Sequence, residues 1–338
     1  IQRLLRQIVD AGVTDAILEA TSHGLDLHRL DHTRFQIGVV TNITQEHLEH
    51  HKTIEAYWRA KAKLFERVSH VGGDAVVNLD DAGARSVLPY CGGCRRVIRY
   101  SLDDPAADLR VEVDESGLTG SCGRLHVSGT TYPFLVPLVG AFNVSNALAA
   151  LGTAIAVGVE IEPALAALSS IPAIPGRMAS IEAGQPFGVI VDYAHTPESL
   201  EKVLRLLRTL RPEGRLIAVF GSAGERDAVK RPIQGRVAAE LADIAVITNE
   251  DPRYEDAEAI IRQIAAGAIA AGAVEGETVH CVVERRDAVA LALDLAQPGD
   301  TILLAGKGHE RSIIWNGVKH PWDEATVARE LLAERGWA

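Results

Sequence analysis

Polar side chains follow four apolar stretches in the second half of the chain, at the points where strands are expected to end. Asp192 and His195 follow the first stretch, a glycine-rich turn at 221–224 the second, residues 250–253 the third and residues 306–310 the fourth. Ligands of open α/β sheets bind beyond the carboxyl ends of the strands. Asp192 and His195 could bind a nucleotide or assist proton transfer, and the basic residues after position 224 suit an anion. Four such loops in one sheet predict a ligand-binding edge.

Two more polar loops follow apolar stretches in the first half of the chain. Glu19 opens the loop at 19–25, and His47 ends the loop at 41–47. A carboxylate and an imidazole at neighbouring strand ends can converge on one divalent cation. Mg²⁺ suits such a site, because it accepts few protein ligands when phosphates and water supply the rest. Surface loops also carry residues of these types, so each motif alone leaves both interpretations open.

Lys61 and Lys63 lie on a predicted helix at about 53–68. Residues two apart lie on different faces of a helix, so one lysine can be solvated while the other points inward. Burial lowers the pKa of a lysine and makes its amine chemically useful. The alternative is that both lysines are solvated.

The elements that must position these residues alternate between strands and helices. Strands are predicted at about 14–19, 35–41 and 74–80, and the period-two stretches of residues 95–137 predict an antiparallel meander. After a proline-rich connection at 169–177, strands and helices alternate again up to an Asn316-Gly317 hairpin and a closing helix. The predicted fold is therefore α/β. A mainly parallel sheet with a meander occupies residues 1–175, and a Rossmann-like doubly wound sheet occupies residues 176–338.

Composition limits the classes of partner. The chain has 338 residues and a formal net charge of -11, which argues against binding to nucleic acid. No apolar run approaches the length of a transmembrane helix, and arginines interrupt the amphipathic N-terminus, so we expect no membrane association and a cytoplasmic location. The sequence begins with Ile1 inside a predicted helix, and we expect it to be truncated.

Four cysteines provide no disulfide framework. Cys91 and Cys94 form one C-G-G-C motif, which is either half of a zinc site, a redox pair, or two small residues in a turn. The turn is favoured, because the chain has no second C-x-x-C.

Taken in order, the motifs resemble those of the Mur ligases, and most closely the members that add a diamino acid to UDP-MurNAc-dipeptide. The similar segments extend over nearly the whole chain: EATSHGLDLHR, TNITQEHLEHH, YWRAKAKLF, GAFNVSNALAA, GRM, VDYAHTPESLEK, GERDAVKRP, NEDPR and AGKGHE. Some of these segments are weak separately, but their joint order and spacing are highly specific.

The resemblance implies roles for residues of the first half. Glu19, His47 and a carbamylated Lys61 correspond to magnesium ligands, since a neutral amine takes up CO₂ to give an anionic carbamate. Lys63 has no such match and is expected to be solvated. The UDP-MurNAc-dipeptide is expected to contact Thr21, Ser22 and Arg29. Thr21 stands where serine is usual and keeps the hydroxyl, whereas Leu27 stands where a glutamine is often found.

The resemblance also implies roles for the second half. Positions that line the ATP site are Asn143, Arg177, Asp192 and His195, of which His195 is also expected to be catalytic. The added amino acid is expected to contact Arg226, Glu250, Asp251, Pro252, Arg253, Gly306 and Glu310. Members that add meso-diaminopimelate carry an arginine where Arg253 stands, and members that add lysine tend to lack it. Asp251 is a departure, because the family usually has asparagine there.

The implied reaction has two steps and uses ATP and Mg²⁺. ATP phosphorylates the free carboxylate of the D-Glu residue, and the incoming amine then displaces phosphate from the acyl phosphate. All implied partners are small molecules, and we expect a monomer. The sequence contains no G-K-T phosphate-binding loop, so we predict that residues 1–338 alone do not turn over.

Three alternatives stay open. The first is a lysine-adding homologue, and the second is a ligase like folylpolyglutamate synthetase. The third belongs to another class, a non-catalytic binding module derived from a ligase.

Overall fold

The computed structural model describes residues 1–43 and 51–337. The chain forms two compact units. The first comprises Ile1–Glu115, Ser121–Pro137 and Ala141–Ile171, and the second comprises Ser116–Gly120, Leu138–Gly140 and Pro172–Ala338. The change at residue 171 falls in the proline-rich segment predicted as a connection. The predicted domain limits of 1–175 and 176–338 remain a prediction.

The first unit contains helices and one mixed sheet. Its helices are α1 (Gln2–Asp10), α2 (Ser22–Asp26), α3 (Ile54–His70), α4 (Ala82–Arg85), α5 (Ala141–Ala156) and α6 (Ile161–Ser169), with a 3₁₀ turn at Leu88–Tyr90. Its strands are β1 (Ile37–Val40), β2 (Asp74–Asn78), β3 (Arg96–Ser101), β4 (Leu109–Gly117), β5 (Gly120–Val127) and β6 (Thr130–Val136).

The strands follow the order β1-β2-β3-β4-β5-β6 in one sheet. The pairs from β1 to β4 are parallel, and β5 pairs with β6 antiparallel. The predicted meander is therefore correct only in its later part, because β3 lies parallel to β4 as well as to β2. Buried Asp74 on β2 explains this register: it accepts hydrogen bonds from the guanidinium groups of Arg95 and Arg96 at the start of β3.

The predicted strand at 14–19 is wrong. Residues 13–20 have no regular secondary structure, and Ile17 is 99% exposed. An extended segment becomes a strand only when its backbone groups pair with a neighbour, and none of the described strands pairs with this segment. Val13 and Ile17 are consequently exposed, and Ala20 is only partly buried against the apolar core.

Helix α3, which carries Lys61, is well defined at both ends. The Thr53 side chain caps its first turn by accepting a hydrogen bond from the Ala56 amide at 3.2 Å. Phe65 and Val68 pack so closely against β1 that an added Cβ at Gly38 would lie 3.2 Å from each of them. The buried face of α3 thereby fixes the helix on the sheet.

The second unit is the predicted doubly wound sheet. Its strands are β7 (Ala179–Ser180), β8 (Gly188–Asp192), β9 (Leu216–Phe220), β10 (Ile244–Ile247), β11 (Val279–Cys281) and β12 (Thr301–Ala305), with a separate hairpin of β13 (Ser312–Trp315) and β14 (Val318–Pro321). Its helices are α7 (Pro197–Leu210), α8 (Lys230–Leu241), α9 (Ala257–Ala270), α10 (Arg285–Leu295) and α11 (Glu324–Glu334).

The strand order is β11-β10-β9-β12-β8-β7, and only the edge strand β7 is antiparallel to its neighbour. The sheet is buried on both faces. Ile190 and Leu303 belong to one apolar cluster with α7, α8 and α9, while Val189 and Ile302 belong to the other with α10 and α11. Near-continuous apolar strands are expected for such a sheet.

Two local signals in this unit are confirmed. Pro197 is the first residue of α7, and Thr196 caps the helix through a reciprocal bond with Ser199. Asn316 and Gly317 connect β13 to β14 with φ angles of 49° and 73°, which defines a type I′ hairpin turn. In the described part of the chain, no helix is long and apolar enough to cross a membrane.

Candidate active site

The polar loops of the second unit meet at one edge of its sheet, as predicted. Strands β8, β9, β10 and β12 are parallel, so the loops after them leave from the same edge. A Cβ at Gly176 would lie 2.3 Å from the backbone nitrogen of His309, and one at Gly308 would lie 2.7 Å from Cβ of Tyr193. Glycines at these two positions therefore allow the loops at 176, 193 and 306–309 to pack backbone against backbone.

Asp192 ends β8 as a buried carboxylate. Its two oxygens accept hydrogen bonds from the backbone amides of Met178 at 2.9 Å and Ala194 at 2.8 Å. Burial raises the pKa of Asp192, although these two hydrogen bonds and the charges of Arg177 and His195 act in the opposite direction. Asp192 thus links the segment at 177–178 to the start of the loop that carries His195.

His195 is held by groups from its own loop and from α8. Its Nδ1 lies 2.9 Å from the Tyr193 carbonyl oxygen, and its ring centroid lies 4.7 Å from that of Tyr193. The Lys230 ammonium and the Gln234 amide donate to the His195 carbonyl oxygen at 2.8 and 3.1 Å. The Arg177 guanidinium lies 5.6 Å from the centroid of the Tyr193 ring, a cation–π distance.

Glu250 is a buried carboxylate at the end of β10. Its Oε2 has no hydrogen-bond partner among the described residues, and an added Cβ at Gly306 would lie 2.7 Å from it. Burial raises the pKa of Glu250, while the charges of Lys230, Arg285 and Lys307 oppose that rise. The absence of a side chain at Gly306 therefore makes room for this carboxylate.

Lys307 and Asp251 lie beside Glu250 in the same edge. The Lys307 side chain is fully buried, and its ammonium donates to Asp251 Oδ1 at 2.9 Å and to Glu310 Oε2 at 2.6 Å. Sequence reasoning did not include Lys307 among the candidate site residues. The available signal was a lysine between two glycines directly after a buried strand.

Arg253 has a constrained backbone and a largely uncommitted side chain. Its φ angle is 57°, and its backbone bonds to Ile314 at 2.9 Å and Asn316 at 2.6 Å tie it to the β13–β14 hairpin. Its buried Nε has no hydrogen-bond partner among the described residues. The preceding Pro252 accepts a backbone bond from Glu255 at 3.0 Å, and a Cβ at Gly224 would lie 2.0 Å from the Pro252 carbonyl oxygen.

Arg226 lies on the loop after β9, where its side chain is exposed. The structure therefore brings together predicted residues from the ends of β8, β10 and β12, and leaves Arg226 at the solvent boundary of the loop after β9.

The predicted site residues of the first unit that the structure describes lie around α2, on α3 and near the start of α5. Thr21 caps α2 by accepting from the Gly24 amide at 3.0 Å, and Ser22 is buried with an Oγ that has no hydrogen-bond partner among the described residues. Glu19 and Arg29 are exposed.

Lys61 is half-buried on α3, with its Nζ 5.8 Å from the centroid of the Tyr57 ring. The Lys63 side chain is 33% exposed, so its predicted solvation is only partial. Its ammonium donates to Asp26 Oδ1 at 2.6 Å and so joins α3 to α2.

Asn143 is buried near the start of α5, where its Oδ1 accepts a hydrogen bond from the side-chain amide of Asn146 at 3.4 Å.

His47 lies outside the described residues. Within the described ranges, no group of three or more His, Cys, Asp or Glu residues has a geometry that could hold a metal ion.

Comparison with known proteins assigns both units. Residues 1–154 match the model described as Mur ligase middle domain, and residues 176–308 match Mur ligase, glutamate ligase domain. The UDP-N-acetylmuramyl-tripeptide synthetase of Roseiflexus sp. (strain RS-1) is 47% identical over 348 residues, covering 100% of this chain and 68% of that protein. The chain belongs to the Mur ligase family.

Other Mur ligases align over the same region. The UDP-N-acetylmuramoyl-L-alanyl-D-glutamate--2,6-diaminopimelate ligase of Synechococcus elongatus is 41% identical over 339 residues, which covers 99% of this chain and 66% of that protein. A solved structure of a ligase with the same name shares 33% identity with a TM-score of 0.69, covering 100% of this chain and 68% of that one. The chain spans about two thirds of the length of these relatives.

Mur ligases are ATP-dependent enzymes that form amide bonds in peptidoglycan precursor synthesis. The predicted family, α/β fold and enzyme class are therefore confirmed.

Proposed function

We propose that this Mur ligase adds meso-diaminopimelate to UDP-MurNAc-L-Ala-D-Glu through an acyl phosphate. The γ-phosphoryl group of ATP passes to the free carboxylate of D-Glu, and ADP is released. The amine of the incoming amino acid then attacks the acyl carbon, and phosphate departs as the amide bond forms. Catalysis of this kind depends on positioning and charge neutralisation instead of a side-chain nucleophile.

The choice of meso-diaminopimelate as the added amino acid rests on the backbone and side chain of Arg253. Its backbone is fixed to the β13–β14 hairpin, while its buried Nε has no hydrogen-bond partner among the described residues. A guanidinium pairs well with a carboxylate in a two-bond fork. Diaminopimelate has a second carboxylate that lysine lacks, so Arg253 is suited to recognise the larger diamino acid.

The neighbouring residues supply the remaining contacts for the amino acid. Glu250 and Glu310 can accept hydrogen bonds from ammonium groups, and exposed Arg226 can approach an anion. Gly306 leaves the space in which Glu250 Oε2 lies. Asp251 and Pro252 shape the loop that presents Arg253, because Asp251 Oδ1 accepts from the Ile314 amide at 2.9 Å.

For ATP we propose contacts from Asn143, Arg177, Asp192 and His195. The support in the second unit is the linkage of Asp192 to the amides of Met178 and Ala194, which holds Arg177 and His195 beside the Tyr193 ring. His195 is proposed as catalytic, because an imidazole at this position can hold or move a proton near the reacting phosphate.

Thr21, Ser22 and Arg29 are proposed to contact the UDP-MurNAc-dipeptide, and the buried Ser22 hydroxyl without a described partner supports this.

We propose that Mg²⁺ accompanies ATP, with Glu19, His47 and carbamylated Lys61 as protein ligands. Bound Mg²⁺ neutralises phosphate charge. Among the described residues no three His, Cys, Asp or Glu side chains form a cation site, and His47 lies outside them, so no step of the reaction is assigned to Mg²⁺. Carbamylation of Lys61 is supported only by its half-buried position on α3, and a carbamate carbon resonance after labelling with ¹³CO₂ tests it.

The alternatives fare differently. A lysine-adding ligase is the closest competitor, because Asp251 places an acid where the family usually has an amide. A folate-specific ligase gains no support from the muramyl-peptide relatives described above. A non-catalytic module is disfavoured, because the sheet edge carries Glu250 and Arg253, charged groups with atoms that have no hydrogen-bond partner among the described residues.

Amino-acid selectivity decides between the two diamino acids. The complete protein is assayed for ATP-dependent ligation with UDP-MurNAc-L-Ala-D-Glu and meso-diaminopimelate, L-lysine or L-glutamate, with tetrahydrofolate as a competing acceptor. We expect diaminopimelate to be strongly preferred. A preference for lysine would refute the assignment of Arg253, and activity with the folate alone would refute the proposed reaction.

A further inference from the structure

Lys307 is fully buried, which is uncommon for a lysine unless it has a charged partner. Its ammonium bonds to Asp251 and to Glu310, at 2.9 and 2.6 Å. The three side chains form a carboxylate–ammonium–carboxylate bridge between the loops that follow β10 and β12. This bridge lies within the edge to which we assign the amino acid.

The two carboxylates of this bridge differ in their access to solvent. The Asp251 side chain is 12% exposed, and its Oδ1 also accepts a hydrogen bond from the Ile314 amide at 2.9 Å. The Glu310 side chain is 34% exposed. Asp251 is thus committed to internal contacts, whereas Glu310 can be reached by a solute.

The backbone around Lys307 leaves little freedom for its side chain to move. Gly306 and Gly308 have φ angles of 101° and 48°, a region that favours glycine. Both glycines are in close contact with neighbouring loops, and the Glu310 amide donates to the Lys307 carbonyl oxygen at 2.8 Å. The ammonium is therefore held at a fixed point between the two carboxylates.

Building on the proposed function, we propose that Lys307 is a positioning residue for the incoming amino acid. It holds Glu310 at the reachable edge, and it cancels one of two neighbouring carboxylate charges. Asp251 then serves as the internal anchor of Lys307 instead of a direct contact for the substrate. Without the ammonium, the two carboxylates repel each other and Glu310 has no fixed orientation. A side chain that recognises a ligand works best when its rotamer is locked by such support.

The test uses the complete protein with four variants: Lys307→Met, Asp251→Asn, the double variant carrying both, and Lys202→Met. Lys202 provides a matched control, because it forms an ion pair of 2.6 Å with Glu198 on the surface, at 67% exposure. For each variant, kcat, the KM for the amino acid, the KM for ATP and the thermal unfolding midpoint are measured.

We expect Lys307→Met to raise the KM for the amino acid by about tenfold or more while the KM for ATP changes by less than about twofold. The double variant removes one of the two like charges, so its unfolding midpoint recovers while the KM for the amino acid stays raised. Asp251→Asn keeps an oxygen acceptor for Lys307 and is expected to change this KM by less than about threefold. Lys202→Met leaves all four quantities unchanged.

The outcomes separate this proposal from the proposed function. If the wild-type protein ligates none of the amino acids, the proposed function fails. If it ligates them and the double variant has a wild-type KM for the amino acid, the positioning role alone is overturned. A proportional fall of kcat with no change in either KM also overturns it, because that result indicates only a smaller folded fraction. Where Lys307→Met does not fold, the double variant and Lys307→Arg decide, and each is expected to show the same selective rise in KM.

Discussion

Arg285 and Glu324 form an ion pair in which neither side chain has any exposed surface, with the guanidinium and the carboxylate 2.9 Å apart. Arg285 also donates to the carbonyl oxygens of Asn249 at 3.1 Å and Ala305 at 2.7 Å, and Trp322 donates to Glu324 at 2.6 Å. The pair thereby joins the ends of β10 and β12, from which the site loops leave, to the start of α11. It is a support for the site and does not itself belong to the predicted ligand contacts.

Removing one member of this pair is expected to be costly. Arg285→Met leaves a buried carboxylate without its ion-pair partner, and we expect the free energy of unfolding to fall by about 3–5 kcal/mol. The double variant Arg285→Met/Glu324→Leu is expected to lose less than Arg285→Met. It does not reach wild type, because two backbone carbonyls and the Trp322 indole still lose partners. Chemical denaturation followed by tryptophan fluorescence measures both, and a double variant less stable than Arg285→Met contradicts the prediction.

Arg253→Ala tests the carboxylate partner of diaminopimelate. Loss of hydrogen bonds to a charged group costs about 1.5–3 kcal/mol, so we expect kcat/KM for meso-diaminopimelate to fall about 10- to 100-fold. Lysine lacks the second carboxylate, and its kcat/KM is expected to change by less than about threefold. Steady-state kinetics with both amino acids checks this. Equal losses for the two would show that Arg253 does not contact the second carboxylate.

Glu250→Gln tests the electrostatic cost of a buried carboxylate. Because burial raises the pKa of Glu250 above its ordinary value, the folded protein binds the proton more tightly than the unfolded chain does. The free energy of unfolding therefore falls as pH rises from the ordinary carboxyl range through the raised pKa. Glu250→Gln removes this titration, so its stability relative to wild type is expected to increase from acidic to neutral pH. Denaturation curves at several pH values measure the difference, and a difference that stays flat or decreases is the contrary result.

Gly176→Ala tests the close approach of the loops at the edge of the sheet. Its φ angle is 67°, and the new Cβ would lie 2.3 Å from the His309 backbone nitrogen. Gly184→Ala is the matched control, because Gly184 has a φ angle of 75° and nothing within 4 Å of the new Cβ. We expect a loss of about 1 kcal/mol at Gly184 from the backbone alone, and of about 2–4 kcal/mol at Gly176. Thermal or chemical denaturation gives both values, and equal losses would show that the clash is relieved without cost.

The sequence alone determined the fold class and the edge of the sheet at which the polar loops meet. Buried parallel strands are near-continuous apolar runs, so the polar groups that follow them mark the strand ends directly. The same local signals set Pro197 at the start of α7 and the Asn316-Gly317 turn, because capping and turn chemistry depend on a few adjacent residues. The order of motifs such as VDYAHTPESLEK and AGKGHE was sufficient to indicate the family.

Tertiary structure decided what depends on partners distant in the chain. The segment at 14–19 has strand-like residues but no described neighbour to pair with, and β3 joined the parallel part of its sheet through Asp74. Lys63 forms an ion pair with Asp26, 37 residues away in the chain, and Lys307 forms one with Asp251, 56 residues away. Charged side chains are buried only when a partner offsets the cost of desolvation. Partners this remote become neighbours only when the sheet assembles, so no local pattern could have identified them.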